Sequence, residues 1–309
     1  MNPKLENQIL GIANEHVQGI YTDTLTRFSY VNGGADDFLR FIENPLYTGF
    51  AQEILLIRRL LARQKGITQG RHLIDLGPGN GVKALELMQA ANFSSYTAVD
   101  ISTHMLEIAR KTHKKVTGVS RAYREMDFSD PGNLQKILHE SRQIFLTLLG
   151  NTLTNESNIK SYLRRWRTAL HNIDAYFLIG LETNDNNDPE QIEAEYNTAE
   201  NRQLTFRPLE KIGACSSDGV INIQFNRKNQ RVEETFTFTS DKWVKVNDQT
   251  VLFHKGATVI LSITEKPSLR KITEMISKSG WEIVDQENEG NQRLTIIRPC
   301  TSPLTHPVL

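Results

Sequence analysis

The chain has 309 residues, more than the usual length of one domain, and this length predicts a catalytic domain with a second, smaller unit. Its 36 basic and 36 acidic residues give a net charge of zero, which excludes a broad positive field for drawing the chain onto nucleic acid or an anionic membrane. A small molecule is therefore the expected partner, bound by a monomer or a weak dimer.

The N-terminal stretch MNPKLENQILGIANEH mixes charged and apolar side chains without an uninterrupted apolar run. This pattern predicts neither a signal peptide nor a membrane span, so the cytoplasm is the expected location. Cys215 and Cys300 lie far apart in the sequence and outside any CxxC or Cys/His cluster. We therefore expect neither a disulfide framework nor a bound metal.

Helices and strands alternate over the first part of the chain. Apolar residues at helical spacing over 54–61 predict a helix, and the polar break GITQGR separates it from the short apolar strand HLIDL. Strands joined by helices imply right-handed crossovers and a parallel sheet. The further predicted strands are 96–100, 122–126, 144–149 and 175–181, and the helices between them are 82–91, one from about Ser102, one from Asp130 before Pro131, and 155–170.

The pattern changes after Glu182. Asp188-Pro189-Glu190-Gln191 has the form of a capping box with proline at the first helical position, which predicts the start of a new unit. Alternation of apolar and polar residues from Val220 to Thr264 predicts an antiparallel meander. A helix over 267–279 and the strands WEIVDQ and RLTIIR then return to the sheet and predict a hairpin at its far edge.

A glycine-rich loop, Asp75-Leu76-Gly77-Pro78-Gly79-Asn80-Gly81, lies where a buried strand passes into a helix. Glycines at such a point let the backbone approach a nucleotide-like ligand closely. Asp100 ends the second strand, where its carboxylate can accept hydrogen bonds from two ribose hydroxyls. Asp127-Phe128 follows the third strand and can read an adenine amino group and cover the ring. Three such features at the carboxyl ends of successive parallel strands predict an adenosine-binding site.

Alternatives remain open for this loop. A nicotinamide or flavin site would have the third glycine of a GxGxxG pattern, where this chain has Val82. Asp75 would repel a pyrophosphate but not a cationic sulfonium ligand with an ammonium group, which favours S-adenosylmethionine over a dinucleotide. The loop could also be a structural turn, and Asp127 could simply be a loop cap before the helix that starts at Pro131.

At these residues the chain resembles class I methyltransferases, and over nearly its whole length it resembles the histidine-specific N-methyltransferase family. The similarity is most specific in GPGNGVK, VDIS, MDF and LLGNTLTN. The family includes the ergothioneine-pathway enzyme that trimethylates the α-amine of histidine, and fungal dimethylallyltryptophan N-methyltransferases are relatives.

The resemblance implies an α/β fold with S-adenosylmethionine as the methyl donor. The expected architecture is a seven-stranded Rossmann-like sheet with an inserted α+β substrate domain built on the antiparallel meander. We expect the donor-binding domain to cover residues 52–183 and 266–299, and the substrate-binding or lid domain to cover 10–51 and 184–265.

The resemblance also implies which residues hold the donor. Lys83 would meet the carboxylate of S-adenosylmethionine, although the sequence alone allows a solvated side chain on the first helical turn. The remaining candidate donor-binding residues are Asp75, Gly77, Gly79, Gly81, Asp100, Ile101, Asp127, Phe128 and Gly150.

By the same resemblance, Asn155 and Tyr196 would bind the amino and carboxylate groups of the acceptor, and they are the candidate catalytic residues. Tyr47 falls near another substrate tyrosine of the family, and Ser262 and Thr264 fall in its last substrate-binding segment. From the sequence alone, Asn155 could instead be a helix N-cap and Tyr196 a core aromatic residue.

One departure from the family bears on the substrate. Histidine-methylating members carry a Glu-x-Ser-x-Lys stretch whose glutamate engages the imidazole, whereas this chain has Ser262-Ile263-Thr264-Glu265-Lys266. Serine cannot supply the charge-assisted bond of a carboxylate, which disfavours histidine as the acceptor. The family's Phe-Asn pair is also altered, to Phe206-Arg207.

The sequence therefore predicts a methyltransferase that acts on the α-amine of an amino acid or of an amino-acid-derived small molecule. Three alternatives stay open. The acceptor could be a protein or an RNA base, the chain could be a non-catalytic binding module, or it could methylate histidine with another group in place of the missing glutamate.

Overall fold

A computed structural model describes residues 3–21, 23–31, 33–185 and 188–300 of the chain. The described residues divide into two compact units. The sheet unit lies within 48–153, 158–186 and 267–309, and the insertion unit lies within 1–47, 154–157 and 187–266. Among these described residues, no helix is both long and apolar enough to cross a membrane.

The elements are numbered in chain order. Helices α1 to α11 span Pro3–Val17, Gly34–Glu43, Gly49–Arg63, Lys65–Thr68, Val82–Ala90, Thr103–Thr112, Gln135–Leu138, Ile159–Ala169, Pro189–Tyr196, Ala199–Lys211 and Leu269–Lys278. Strands β1 to β12 span His72–Leu76, Ser95–Asp100, Ser120–Glu125, Gln143–Leu148, Asp174–Glu182, Gly219–Asn226, Arg231–Phe238, Lys242–Val246, Gln249–Phe253, Thr258–Glu265, Trp281–Glu289 and Gln292–Pro299. Short 3₁₀ helices include Thr26–Tyr30 and Leu153–Asn155.

The sheet unit contains a seven-stranded sheet in the order β11-β12-β5-β4-β1-β2-β3. Strands β1 to β5 are parallel to one another, whereas β12 runs antiparallel to both β5 and β11. The predicted parallel sheet with a hairpin at its far edge is confirmed. The chain order reverses between β1 and β4, and ligands of open α/β sheets bind outside the carboxyl ends of the strands at such a switch point.

Both faces of the sheet are buried, which explains the continuous apolar runs of its central strands. All five residues of β1 are buried. Leu73 packs in one apolar cluster with Leu56 of α3, and its neighbour Ile74 packs in the opposite cluster with Trp166 of α8. Successive side chains of a strand point to opposite faces, so two adjacent apolar residues anchor helices on both sides of the sheet.

The insertion unit contains the five predicted antiparallel strands in two groups. Strand β7 is central in a three-stranded sheet, β10-β7-β6, while β8 and β9 form a separate hairpin. The pairing thus differs from one continuous meander, because β7 pairs with β10 and not with β8, and among the described strands β9 pairs with β8 alone. Backbone bonds from Phe238 to Ala257 and Gly256 join the end of β7 to the start of β10 and leave the hairpin outside that pairing.

One predicted helix begins later than expected. Helix α8 starts at Ile159 and not at Asn155, because the side chain of Asn158 accepts a hydrogen bond from the Ser161 N–H at 2.9 Å and caps the helix. Asn155 lies in the preceding 3₁₀ turn. The interpretation of Asn155 as the helix N-cap is therefore wrong.

Candidate functional site

The glycine-rich loop follows β1 at the switch point of the sheet. Gly77, Gly79 and Gly81 have φ angles of +72°, +57° and +79°, a region that residues with a Cβ rarely adopt. At Gly81, an added Cβ would lie 2.8 Å from His113 Nε2 and 2.9 Å from the Cα of Ala109. His113 also bonds to the Gly81 carbonyl, at 2.7 Å. The close approach of α6 therefore requires glycine at position 81.

Asp75 at the end of β1 is buried between the two neighbouring strands. Its carboxylate accepts hydrogen bonds from the Thr147 hydroxyl of β4 at 2.6 Å and from the Tyr96 hydroxyl of β2 at 3.2 Å. Burial raises the pKa of Asp75 to about 6, against the lowering effect of those two hydrogen bonds and of the Lys83 charge. Asp75 therefore ties together the three central strands beneath the loop.

Asp100 ends β2 and is also buried. One carboxylate oxygen accepts the Ser102 N–H at 2.8 Å, and burial raises the pKa of Asp100 to about 7. The nearby charge of Asp75 acts in the same direction. Ile101 comes directly after this carboxyl. Hydroxyl groups donated by a ligand would favour the ionised form of Asp100.

The third predicted motif meets the glycine loop. The Phe128 ring lies 3.4 Å from the position that a Cβ on Gly77 would take, so this aromatic side chain covers the first glycine. Asp127 accepts the Ser129 N–H at 2.9 Å in a local turn. The helix at Pro131 is capped by Asp130, which accepts the Gly132 N–H at 2.9 Å. Asp127 thus accepts a hydrogen bond within the loop before that helix, and Asp130 caps the helix itself.

A buried ion pair lies at the other side of the loop. The Lys83 ammonium of α5 bonds to Glu53, a fully buried residue of α3. The Gly150 N–H, directly beyond β4, donates to both Glu53 oxygens at 2.8 and 3.0 Å. The Lys83 Nζ also lies 4.9 Å from the centre of the Phe50 ring. Two predicted donor-binding residues are thus joined by a carboxylate that the sequence analysis did not identify.

The candidate acceptor residues lie in the insertion unit. The Thr264 hydroxyl of β10 donates to Asn155 Oδ1 at 2.8 Å, and the fully buried Lys266 donates through Nζ to the Tyr196 hydroxyl at 2.8 Å. The Phe41 ring lies 6.3 Å from that of Tyr196 and 4.5 Å from that of Tyr47.

Two of these contacts bear on the roles predicted for single residues. Tyr196 also packs in an apolar cluster with Ile192 and Val232, so it is both a core residue and a hydrogen-bonded one. Phe41 is a contact of both candidate tyrosines. Phe41 was not predicted from the sequence, although it lies with Phe38 and Ile42 at helical spacing in α2.

Ser262 lies opposite a buried glutamate. The Ser262 hydroxyl accepts a hydrogen bond from Thr26 at 3.1 Å, and in the ladder the residue pairs directly with Glu234 of β7. Burial raises the pKa of Glu234 to about 8, although Thr205 and Asn201 stabilise the ionised form. Asn201 donates to Glu234 at 2.9 Å and to the Tyr196 carbonyl at 2.8 Å.

Three charged residues of these sites were missed or undervalued by sequence reasoning. Glu53 sits in an amphipathic helix where glutamate is ordinary, and Glu234 sits in a strand whose pattern reads as VEETFTFT. Lys266 ends the stretch Ser262-Ile263-Thr264-Glu265-Lys266, where a lysine would ordinarily be solvated. Their partners lie between 30 and 97 positions away in the sequence, so no local pattern could have revealed them.

The strand order, the glycine loop after β1 and the acidic residues after β2 and β3 together define the class I methyltransferase fold. The family model for histidine-specific, S-adenosylmethionine-dependent methyltransferases matches residues 17–297. The chain belongs to this family, and S-adenosylmethionine is its methyl donor.

Solved structures give weaker similarities. A crystal structure of an S-adenosylmethionine-dependent methyltransferase from Clostridium acetobutylicum ATCC 824 is 12% identical, with 95% of this chain and 98% of that chain covered and a TM-score of 0.41. Magnesium protoporphyrin IX methyltransferase from Synechocystis PCC 6803, with bound S-adenosylhomocysteine, is 13% identical, with 88% and 96% covered and a TM-score of 0.48. The comparison with curated proteins finds no match. Membership of the family rests on the sequence model and not on these structural similarities.

Proposed function

We propose that this enzyme methylates the α-amine of an amino acid or of an amino-acid-derived small molecule. The observation that carries the proposal is a pair of hydrogen bonds at the end of β10, a partly buried one from Thr264 to Asn155 and a buried one from Lys266 to Tyr196. Amide, hydroxyl and ammonium groups held in this way can recognise an amino group and a carboxylate. Tyr47 and Ser262 complete the candidate acceptor-binding residues.

On the donor side, we propose that Asp100 binds the ribose hydroxyls, while Asp127 and Phe128 bind the adenine. Gly77, Gly79 and Gly81 would allow the donor to approach the backbone. In this proposal the sheet unit binds the donor and the insertion unit binds the acceptor. The predicted domains, 52–183 with 266–299 and 10–51 with 184–265, are proposed to have these two roles.

The methyl transfer needs no covalent intermediate with the protein. The amine must first lose its ammonium proton, and its lone pair then forms the N–C bond as the S–C bond of the sulfonium breaks in line. The products are the methylated amine and S-adenosylhomocysteine. Alignment of the two reactants supplies most of the acceleration in a reaction of this kind. We propose that Tyr196 and Asn155 orient the acceptor for this step.

The zero net charge supports a small acceptor over a nucleic acid, since it gives no broad attraction for a polyanion. We propose an enzyme that acts as a monomer or weak dimer on a small amine. The replacement of the family glutamate by Ser262 supports an acceptor other than histidine, because a serine hydroxyl holds an imidazole less strongly than a carboxylate does.

One observation favours histidine as a second candidate acceptor. Glu234 lies directly across the ladder from Ser262, and directly opposed residues have Cβ atoms about 5 Å apart on the same face. A carboxyl group is therefore present beside the position that serine occupies. If histidine is the acceptor, Glu234 is the group that we expect to hold the imidazole.

The test is incubation of the enzyme with S-adenosylmethionine and a panel of amino acids, with mass spectrometry scoring each added methyl group. The panel includes histidine, tryptophan and other indole-bearing amines, and parallel reactions contain bulk RNA and bulk protein. Methylation within the amino-acid panel supports the proposal. Methylation of RNA or protein alone would refute it.

The same panel separates the two acceptor candidates through Glu234→Gln. If histidine is the acceptor and Glu234 holds it, we expect histidine turnover to fall on the order of tenfold, since the hydrogen bond between the carboxyl and the imidazole is lost. If the acceptor is another amine, we expect the variant and the wild type to prefer the same substrate. Loss of histidine turnover with no change in the variant's stability identifies a direct role for this carboxyl.

A further inference from the structure

Glu53 lies where the backbone of the neighbouring strands leaves room for its carboxylate. It is fully buried, and a Cβ added to Gly180 of β5 would lie 1.7 Å from Glu53 Oε1. The same Cβ would lie 3.1 Å from the Gly150 nitrogen. No side chain fits at position 180 while the carboxylate stays in place. The carboxyl ends of β4 and β5 therefore closely surround the Glu53 carboxylate.

Lys83 lies in front of this charge. Its side chain is 14% exposed, whereas that of Glu53 is 1% exposed, so the pair reaches solvent through the lysine and not through the carboxylate. The charges of Lys83 and Glu53 both affect the pKa of Asp75, so the pair lies close to the end of β1. The ion pair thus lies beside the glycine loop, within the sheet unit.

The charge balance of the pair has a chemical consequence. A lysine alone would attract any anionic group, whereas a lysine backed by a buried carboxylate presents a locally neutral surface. Such a surface is complementary to a zwitterion, with an ammonium and a carboxylate of its own. It gives a purely anionic group less attraction, because the negative charge of Glu53 opposes that group in a medium that screens poorly.

We propose that Glu53 is a specificity-determining residue of the donor site. Together with Lys83 it selects ligands with a zwitterionic amino-acid end and disfavours ligands with an anionic end. This inference rests on the proposed function, since it takes the loop between β1 and α5 to bind the donor. S-Adenosylmethionine and its product both carry a zwitterionic amino-acid end.

Three ligands separate the contributions of the end group. S-Adenosylhomocysteine has the zwitterionic end, its deaminated analogue has only the carboxylate, and 5′-methylthioadenosine lacks the amino-acid end altogether. Titration calorimetry gives the dissociation constant of each ligand with the full chain. The quantity that tests the inference is the preference for S-adenosylhomocysteine over the deaminated analogue.

In Glu53→Gln, we expect this preference to fall at least tenfold, with 5′-methylthioadenosine affinity within about twofold of the wild-type value. In Lys83→Met, both ligands with a carboxylate should bind more weakly, and 5′-methylthioadenosine should again keep its affinity. Glu86→Gln is the matched control, because it removes another ion pair between α3 and α5, with Arg58, at 2.7 Å. That variant should bind all three ligands as the wild type does.

An unchanged preference in Glu53→Gln would overturn the inference. Equal weakening of all three ligands would also overturn it, because that result would give Glu53 a purely structural role. If the wild type bound none of the three ligands, the donor site itself would be misplaced, and the proposed function would fail rather than this inference.

Discussion

Gly81 and Gly118 separate two reasons for which a backbone position requires glycine. Both have positive φ angles, +79° and +80°, but a Cβ at Gly118 meets nothing within 4 Å, whereas one at Gly81 meets His113 and Ala109. Position 118 therefore carries only the conformational cost of a side chain. A side chain at position 81 would also clash with the helix packed against the glycine-rich loop.

Gly81→Ala should therefore destabilise the protein more than Gly118→Ala. We expect about 1 kcal/mol for Gly118→Ala and about 2–4 kcal/mol for Gly81→Ala, measured as free energies of unfolding in urea. Gly81→Ala should also weaken S-adenosylhomocysteine binding, since α6 must move away from the loop. Equal losses of stability in the two variants would show that the contact with α6 is not tight.

The raised pKa of Asp100 predicts how donor binding depends on pH. Its pKa is about 7 in the unliganded protein, and ribose hydroxyls bond best to an ionised carboxylate, so binding releases a proton below pH 7 if Asp100 holds the ribose as proposed. The affinity for 5′-methylthioadenosine should therefore rise with pH, by up to about tenfold per pH unit below pH 7, and become constant above it.

Titration calorimetry between pH 5.5 and 8, at roughly half-unit steps, measures this dependence. Asp100→Asn cannot ionise, so its affinity should be lower at neutral pH and nearly independent of pH over the same range. A wild-type affinity that does not change with pH would show that Asp100 is not the group that accepts the ribose bonds.

At the scale of secondary structure, the sheet was predictable and the insertion only in part. Apolar runs between breaks predicted the central strands β1, β4 and β5, because these are buried on both faces, whereas β3 has no buried residue. Helices α1, α2 and α10 were not predicted. In α10, Pro208 lies inside the helix, and in α2 the N-cap is Gly33 without a side-chain cap, so the usual start and interior signals are missing.

The start of α8 shows how two nearby asparagines can be confused. Asn155 and Asn158 both precede the helix, and only the structure distinguishes the residue that caps it from the residue that bonds to β10. Sequence spacing carries no information about Thr264, which lies 109 positions away. The two residues therefore offer a matched pair of substitutions.

Asn155→Ala should raise the KM for the acceptor about 10- to 100-fold, because a hydrogen bond to a charged group is lost, while the dissociation constant of S-adenosylhomocysteine stays the same. Asn158→Ala should leave the KM unchanged and cost about 1 kcal/mol of stability, because it removes a helix cap. Steady-state kinetics, calorimetry and urea unfolding give the three quantities. An unchanged acceptor KM in Asn155→Ala would remove this residue from the acceptor site.

At the scale of the whole molecule, the candidate sites are assembled from segments that are far apart in the chain. The glycine loop and the acidic residues after β2 and β3 could be placed together from sequence, because parallel strands bring their carboxyl ends to one edge. The partners Glu53, Glu234 and Lys266 could not, since a buried charge is found by its long-range contacts and not by local pattern. Family membership supplies the donor, and the acceptor remains the proposal to be tested.

The most direct test is to locate the transferred methyl group. The enzyme is incubated with S-adenosylmethionine carrying a carbon-13 methyl group and with the acceptor selected from the amino-acid panel, and the product is fragmented in a mass spectrometer. We expect the label to stay with the fragment that contains the α-nitrogen. A label found on the side chain or on the carboxylate of the product would contradict it.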